Sequence, residues 1–167
     1  GRFTWSSGAG SLAGQNLRLW MSDSWGEDLI ANLLDGSLYY WDATNGKTAR
    51  MVELAGVGGA SNVPTTVRKV MVSDVDRHVL CFGSNPLGSA TFDPLLIRWS
   101  SQESVTDWTP TATNTAGDIR LSQGSEIVTA IRTTRQFLVF TENSLHSIQF
   151  VGSPFTFGTA LIGTNVR

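Results

Sequence analysis

The sequence predicts an all-β fold of short antiparallel strands, and three observations carry that reading. Segments rich in β-branched and aromatic residues recur along its 167 residues, each bounded by Gly, Asn, Asp or Pro, the pattern of strands separated by turns. Almost nothing in the chain has helical spacing. Charged residues make up only 16 %, while six tryptophans, eight phenylalanines and seventeen glycines supply large apolar groups and tight turns. A chain of this size buries roughly 70 % of the surface its unfolded form exposes, so it needs neither metal nor disulfide to fold. Its single cysteine, Cys81, has no intrachain partner and reads as an inert core thiol within Val79-Leu80-Cys81-Phe82.

In chain order, strands are predicted over 17–21, 28–34, 37–41 and 50–54, then over 67–72, 78–83 and 95–99, and finally over 126–133, 136–141, 144–150 and 155–161. The clearest connection is Asp35-Gly36, which lies between the apolar run ending at Leu34 and Leu38-Tyr39-Tyr40-Trp41. It fits a two-residue type I′ hairpin, whose central residues both take positive φ. Asn143, between Phe140-Thr141-Glu142 and Ser144-Leu145-His146, plays a similar part.

Overlaying these segments exposes a loose internal repeat. Leu29 to Trp41, Leu80 to Trp99 and Leu138 to Phe150 each run from an apolar strand through a turn to an aromatic end, with starts 51 and 58 residues apart. Each unit is preceded by one strand and followed by a weaker one. That makes three four-stranded antiparallel blades of a β-propeller, over approximately 17–54, 67–110 and 126–161 of one 1–167 unit. A β-sandwich is the alternative for the same strands. Propellers typically carry about four to eight blades, so three predict part of a larger chain. The ends, Phe3-Thr4-Trp5 and Asn165-Val166-Arg167, agree, since neither reads as a polar cap over a sheet edge.

Three stretches of the run from Trp20 onward carry a family resemblance. The first is Trp25-Gly26-Glu27-Asp28-Leu29, followed by Asp35-Gly36-Ser37-Leu38-Tyr39-Tyr40-Trp41-Asp42. The second joins Asp76-Arg77-His78-Val79-Leu80-Cys81-Phe82-Gly83 to Pro94-Leu95-Leu96-Ile97-Arg98-Trp99-Ser100 and Asp107-Trp108-Thr109-Pro110. The third runs from Asn114-Thr115-Ala116-Gly117 through Gly124-Ser125-Glu126-Ile127-Val128 to Phe140-Thr141-Glu142-Asn143-Ser144-Leu145-His146. In this order they resemble the nozzle proteins of short-tailed bacteriophages, also called tail tubular protein B, and the related packaged-DNA stabilisation proteins. The resemblance implies a structural part of the virion tail. It would form a homo-oligomeric ring below the adaptor and portal proteins, retain viral DNA, let it pass, and perform no covalent chemistry. The chain departs from the family in length, since members are several times longer, with further blades and a platform.

Residue patterns for chemistry are absent. Ser61 comes nearest to a nucleophile elbow, but Gly59-Ala60-Ser61-Asn62-Val63 lacks the final glycine. The two histidines, His78 and His146, lie in strands of different units. Gly46-Lys47-Thr48 has only the tail of a phosphate loop and reads as a turn. Asp74 and Asp76 offer a divalent ion too few oxygens, and Glu27 and Asp28 point to opposite faces of a strand. Twelve basic residues against fourteen acidic ones, scattered along the chain, give no phosphate-tracking surface. No apolar run is long enough for a membrane anchor. The sequence therefore assigns no catalytic, cofactor-binding or metal residues. It assigns interblade packing to Trp41, Trp99 and Phe150, which end the three repeat units. Its alternative function is a carbohydrate-binding propeller for host attachment through exposed tryptophans, with Trp25 and Trp108 as the candidates.

Overall fold

The computed structural model describes residues 18–166. Leu17, where the first strand was predicted to start, the Phe3-Thr4-Trp5 opening and Arg167 lie outside the described residues. The fold is all-β, with three four-stranded antiparallel sheets in which each strand pairs only with its sequence neighbours. The first sheet contains β1 (Trp20–Trp25), β2 (Asp28–Leu33), β3 (Leu38–Trp41) and β4 (Val52–Glu53). The second contains β5 (Val67–Ser73), β6 (His78–Ser84), β7 (Asp93–Trp99) and β8 (Gly117–Arg120), and the third β9 (Ile127–Arg132), β10 (Phe137–Thr141), β11 (Ser144–Gly152) and β12 (Thr156–Thr164). The three repeat units become β2–β3, β6–β7 and β10–β11, the middle strands of their sheets. Among the described residues no helix is long and apolar enough to cross a membrane.

Side-chain alternation along the strands sorts the core into two layers. On β6, which is buried along its whole length, Val79 and Cys81 join a cluster with Trp25, Ile30 and Leu38 of the first sheet. Leu80 and Phe82 point the other way, into a cluster with Ile127, Phe137 and Ile148 of the third. The second sheet is thus covered on both faces, which is why its strands read as continuous apolar runs. Burial pushes the Cys81 thiol pKa well up, in keeping with a packing role.

Two local expectations need correction. The Asp35-Gly36 connection is a four-residue loop between Leu33 and Leu38, with positive φ at Asp35 (54°) but not at Gly36. Gly36 instead donates its N–H to the Leu33 carbonyl (2.8 Å) and accepts from Val67 N–H (2.9 Å), forming a bridge to β5. A Cβ on Gly36 would stand 3.1 Å from that of Leu33, so a side chain here would crowd the end of β2 in its own hairpin. The second sheet is completed by β8, beyond the expected end of that unit at 110. β8 is short and carries Asp118 and Arg120, so it lacks the apolar pattern of its neighbours. Its Gly117 lies opposite Trp99, whose indole fills the space a side chain would need: a Cβ there would fall 2.7 Å from the ring.

Candidate functional site

The features with most structural consequence are the two seams between sheets. The first strand of each sheet has one backbone edge that no second neighbour covers, and bare N–H and C=O groups there are costly when buried. On β5 the first sheet seals that edge. Asn32, fully buried, donates its side-chain amide to the carbonyls of Val67 (2.8 Å) and Arg68 (3.2 Å), and its Oδ1 accepts from Val70 N–H (3.0 Å). Asp23 accepts from Val72 N–H at 2.8 Å. Arg132 of β9 completes the row by donating to the Val72 carbonyl (2.7 Å), while pairing with Asp23 (3.2 Å) and Asp74 (3.0 Å).

The second sheet treats β9 in the same way, with longer side chains. Lys69 donates to the Ala130 carbonyl at 2.7 Å, and burial lowers its pKa. Arg68 donates to the Ile127 carbonyl (3.0 Å) and pairs with Glu126 (2.6 Å) and with Asp35 of the first sheet's loop (3.1 Å). A single guanidinium therefore spans all three sheets.

The apolar content of the seams differs. Across the second, rings meet in edge-on and tilted pairs: Trp99 with Phe157 at 5.1 Å, Phe82 with Phe137 at 5.7 Å, and His78 with Phe157 at 5.2 Å. Across the first, the Arg77 guanidinium lies 4.3 Å over the Trp25 ring.

Trp99 and Phe150, two of the three predicted interblade aromatics, stand at the second seam, with Phe150 5.9 Å from His78 across it. Trp41 does not match them. Its neighbour Tyr40 packs on the first-seam cluster, so alternation turns Trp41 to the opposite face of its sheet. There it donates its indole N–H to Ala49 in the following loop, at 3.2 Å. Trp41 and Trp99 end equivalent strands but face different ways. Sequence reading missed Phe82, Phe137 and Phe157, although each lies in a predicted strand. It also missed Asn32, whose signal was a lone amide inside an apolar strand.

The remaining candidates are engaged structurally. Ser61 accepts from Thr109 (3.0 Å) and donates to Asp107 (3.2 Å), knitting two loops together with no histidine among these partners. His78 shares a hydrogen bond with Thr115 (3.0 Å), and His146 with Ser144 (3.1 Å). Asp28 accepts from the Tyr40 hydroxyl and from Ala43 N–H, and burial followed by the Asp28 hydrogen bond drives the Tyr40 pKa far up. Gly46 closes a 3-10 turn capped by Asp42. Arg120 pairs with Asp93 at 2.8 Å, and Arg98 is buried with its donors on the carbonyls of Asn62, Asn85 and Trp108. Trp25 and Trp108 are buried, so neither indole is free to stack on a sugar. Among the described residues, no three His, Cys, Asp or Glu side chains converge as a metal site.

A cleft of about 430 Å³ lies at the hairpin end of the second seam. It lies between the β5–β6 turn at Asp74–Asp76 and the β9–β10 turn at Thr133–Gln136, with Phe137, Phe150 and Phe157 below. Compared with known proteins, the chain matches no family model, and no curated protein matches it significantly.

Proposed function

We propose that this chain is a rigid structural segment of a bacteriophage tail nozzle, a homo-oligomeric conduit that meets the adaptor and portal proteins, retains viral DNA and releases it. The observation that carries the proposal is the construction of the seams. Each is closed by apolar packing and by side chains that seal the backbone edge of the next sheet, which resists shear and leaves little to move. The stretches that resemble the nozzle family fall on this machinery: Trp25-Gly26-Glu27-Asp28-Leu29 joins β1 to β2, and Asp76 to Gly83 forms most of β6.

Two further features support an assembled wall. Trp20 is 56 % exposed on the face of the first sheet turned away from the second, and Ile131 is 50 % exposed on the far face of the third. Exposed apolar side chains on both outer faces suit a protein covered by other protein. With a net charge of −2 and scattered cations, the chain has no massed positive surface to hold phosphates back. Its work is mechanical and not catalytic. Electron imaging of purified virions carrying a tagged copy should place the tag in a ring on the tail axis. Virions that lack the tag, with the tagged chain recovered only as free protein in the host, would overturn the proposal.

A further inference from the structure

We propose that the outer face of the third sheet docks on the outer face of the first sheet of a second copy of this chain, so that two copies of three sheets close one ring of six. Strand pairing makes the two faces the halves of one more seam. Into the second seam the second sheet presents Met71, Leu80, Phe82 and Ile97, with Leu80 opposite Met71 and Phe82 opposite Ile97. The third sheet repeats this set on its outer face. Leu138 and Phe140 flank Val139, which points into the second seam, so alternation turns both outward. Ile131 stands opposite Leu138, and Leu145 opposite Phe140. Ile131 is 50 % exposed, and the other three are half-buried.

The first sheet offers the matching surface. Ile30 and Asn32 face the first seam, so Leu29, Ala31 and Leu33 face away, with Trp41 opposite Leu29 and Tyr39 opposite Ala31. Trp20 stands opposite Leu33, is 56 % exposed, and meets the Tyr39 ring edge-on at 5.3 Å. Among the described residues, the only side chain hydrogen-bonded to the β1 backbone is its own Asp23, whereas β5 and β9 are each sealed from the sheet before. Terminal repeats that face water carry a polar outer surface; here both carry large apolar side chains. The occupant follows from the order of the faces. Each seam joins the leading face of one sheet to the trailing face of the next, and the chain presents one unmatched face of each kind. A second copy supplies both, head to tail, and six sheets fall within the about four to eight blades of closed propellers. The contact lies within one ring of blades and does not rest on the conduit reading.

Sedimentation equilibrium on the whole chain, at concentrations up to about 1 mM, should give twice the chain mass of 18.1 kDa. Trp20→Arg and Ile131→Arg each place a charge on one of the two faces, and each should raise the dimer dissociation constant by about tenfold or more. Both must act, because the contact is head to tail; a dimer joined by one face to itself would respond to one variant alone. Val75→Arg, in the β5–β6 turn and 79 % exposed, should leave the dimer mass unchanged. Circular dichroism of each variant separates lost docking from lost folding, and the mass of the parent chain decides alone if a variant fails to fold. A monomer at every concentration, an open-ended series of masses, or dissociation by only one or neither of the two face variants would overturn the inference. The measurement needs no virion, so it can fail while the nozzle proposal stands, and the reverse.

Discussion

The first and second seams join the same kind of sheet by different chemistry. In the first, short side chains do the sealing: Asn32 and Asp23 reach the β5 backbone directly, which requires close approach, and the Gly36 carbonyl adds a backbone bridge to Val67. In the second, Arg68 and Lys69 span the gap to β9, and rings from both sheets fill the space between. A buried amide with fixed partners tolerates no substitute, whereas long cations at a rim can re-aim. The first seam should accordingly concentrate its polar stability in one residue, and the second should spread its stability over ring area.

Asn32→Ala is the largest effect this contrast predicts. It removes three cross-seam hydrogen bonds and strands the Val67 carbonyl and Val70 N–H in a buried site. Each buried group left without a partner costs about 1–3 kcal/mol, so a loss of about 3 kcal/mol is expected in urea denaturation. A loss below about 1 kcal/mol would mean that water or a backbone shift replaces the amide, and the contrast would dissolve.

How much of this could be read in advance follows from the same chemistry. Short-range signals were legible: the apolar runs that became β6 and β10, and the turn at Glu142-Asn143, where the Glu142 carboxylate accepts from the N–H groups of Glu126 and Ser125 and its pKa is held down to about 2. β8 was not legible, because its Gly117 is chosen by the Trp99 indole across the strand and not by local strand preference. Facing was legible only in part. Trp41 and Trp99 share a position in their sheets, but the register that turns Trp41 outward is set by pairing with Leu29, a property of two strands. The cleft draws its lining from five strands and two turns, and no single segment announces it.

The second prediction concerns pH and bears on the second seam alone. His78 is fully buried against Phe150 and Phe157, and its Nδ1 has no hydrogen-bond partner. Burial lowers its pKa, and the nearby Asp76 backbone, together with the charges of Asp76 and Glu103, opposes that shift without reversing it. A histidine held neutral in the fold costs nothing while the unfolded chain is also neutral. Stability attributable to His78 is therefore complete above its unfolded value of about 6.5 and declines as pH falls below that, where only the unfolded chain takes up the proton. Glu142 adds its own decline at lower pH, from its ordinary carboxylate range down through about 2. Urea midpoints between pH 8 and pH 5 should fall only in the acidic half, and His78→Gln should flatten that fall. An unchanged slope in the variant would remove His78 from the explanation.

The smallest effect should come from the shortest ion pair. Arg68 and Glu126 stand 2.6 Å apart, yet the carboxylate side chain is 48 % exposed, and exposed pairs contribute about 0–1 kcal/mol because water already solvates both charges. Glu126→Gln also leaves Arg68 its bonds to Asp35 and the Ile127 carbonyl, so no donor is abandoned in the interior. We expect a loss under about 1 kcal/mol, vanishing in about 1 M salt, where the screening length is about 3 Å. A loss as large as that of Asn32→Ala, persisting in salt, would show that charge and not ring packing closes the second seam, and the two seams would then differ in reach but not in kind.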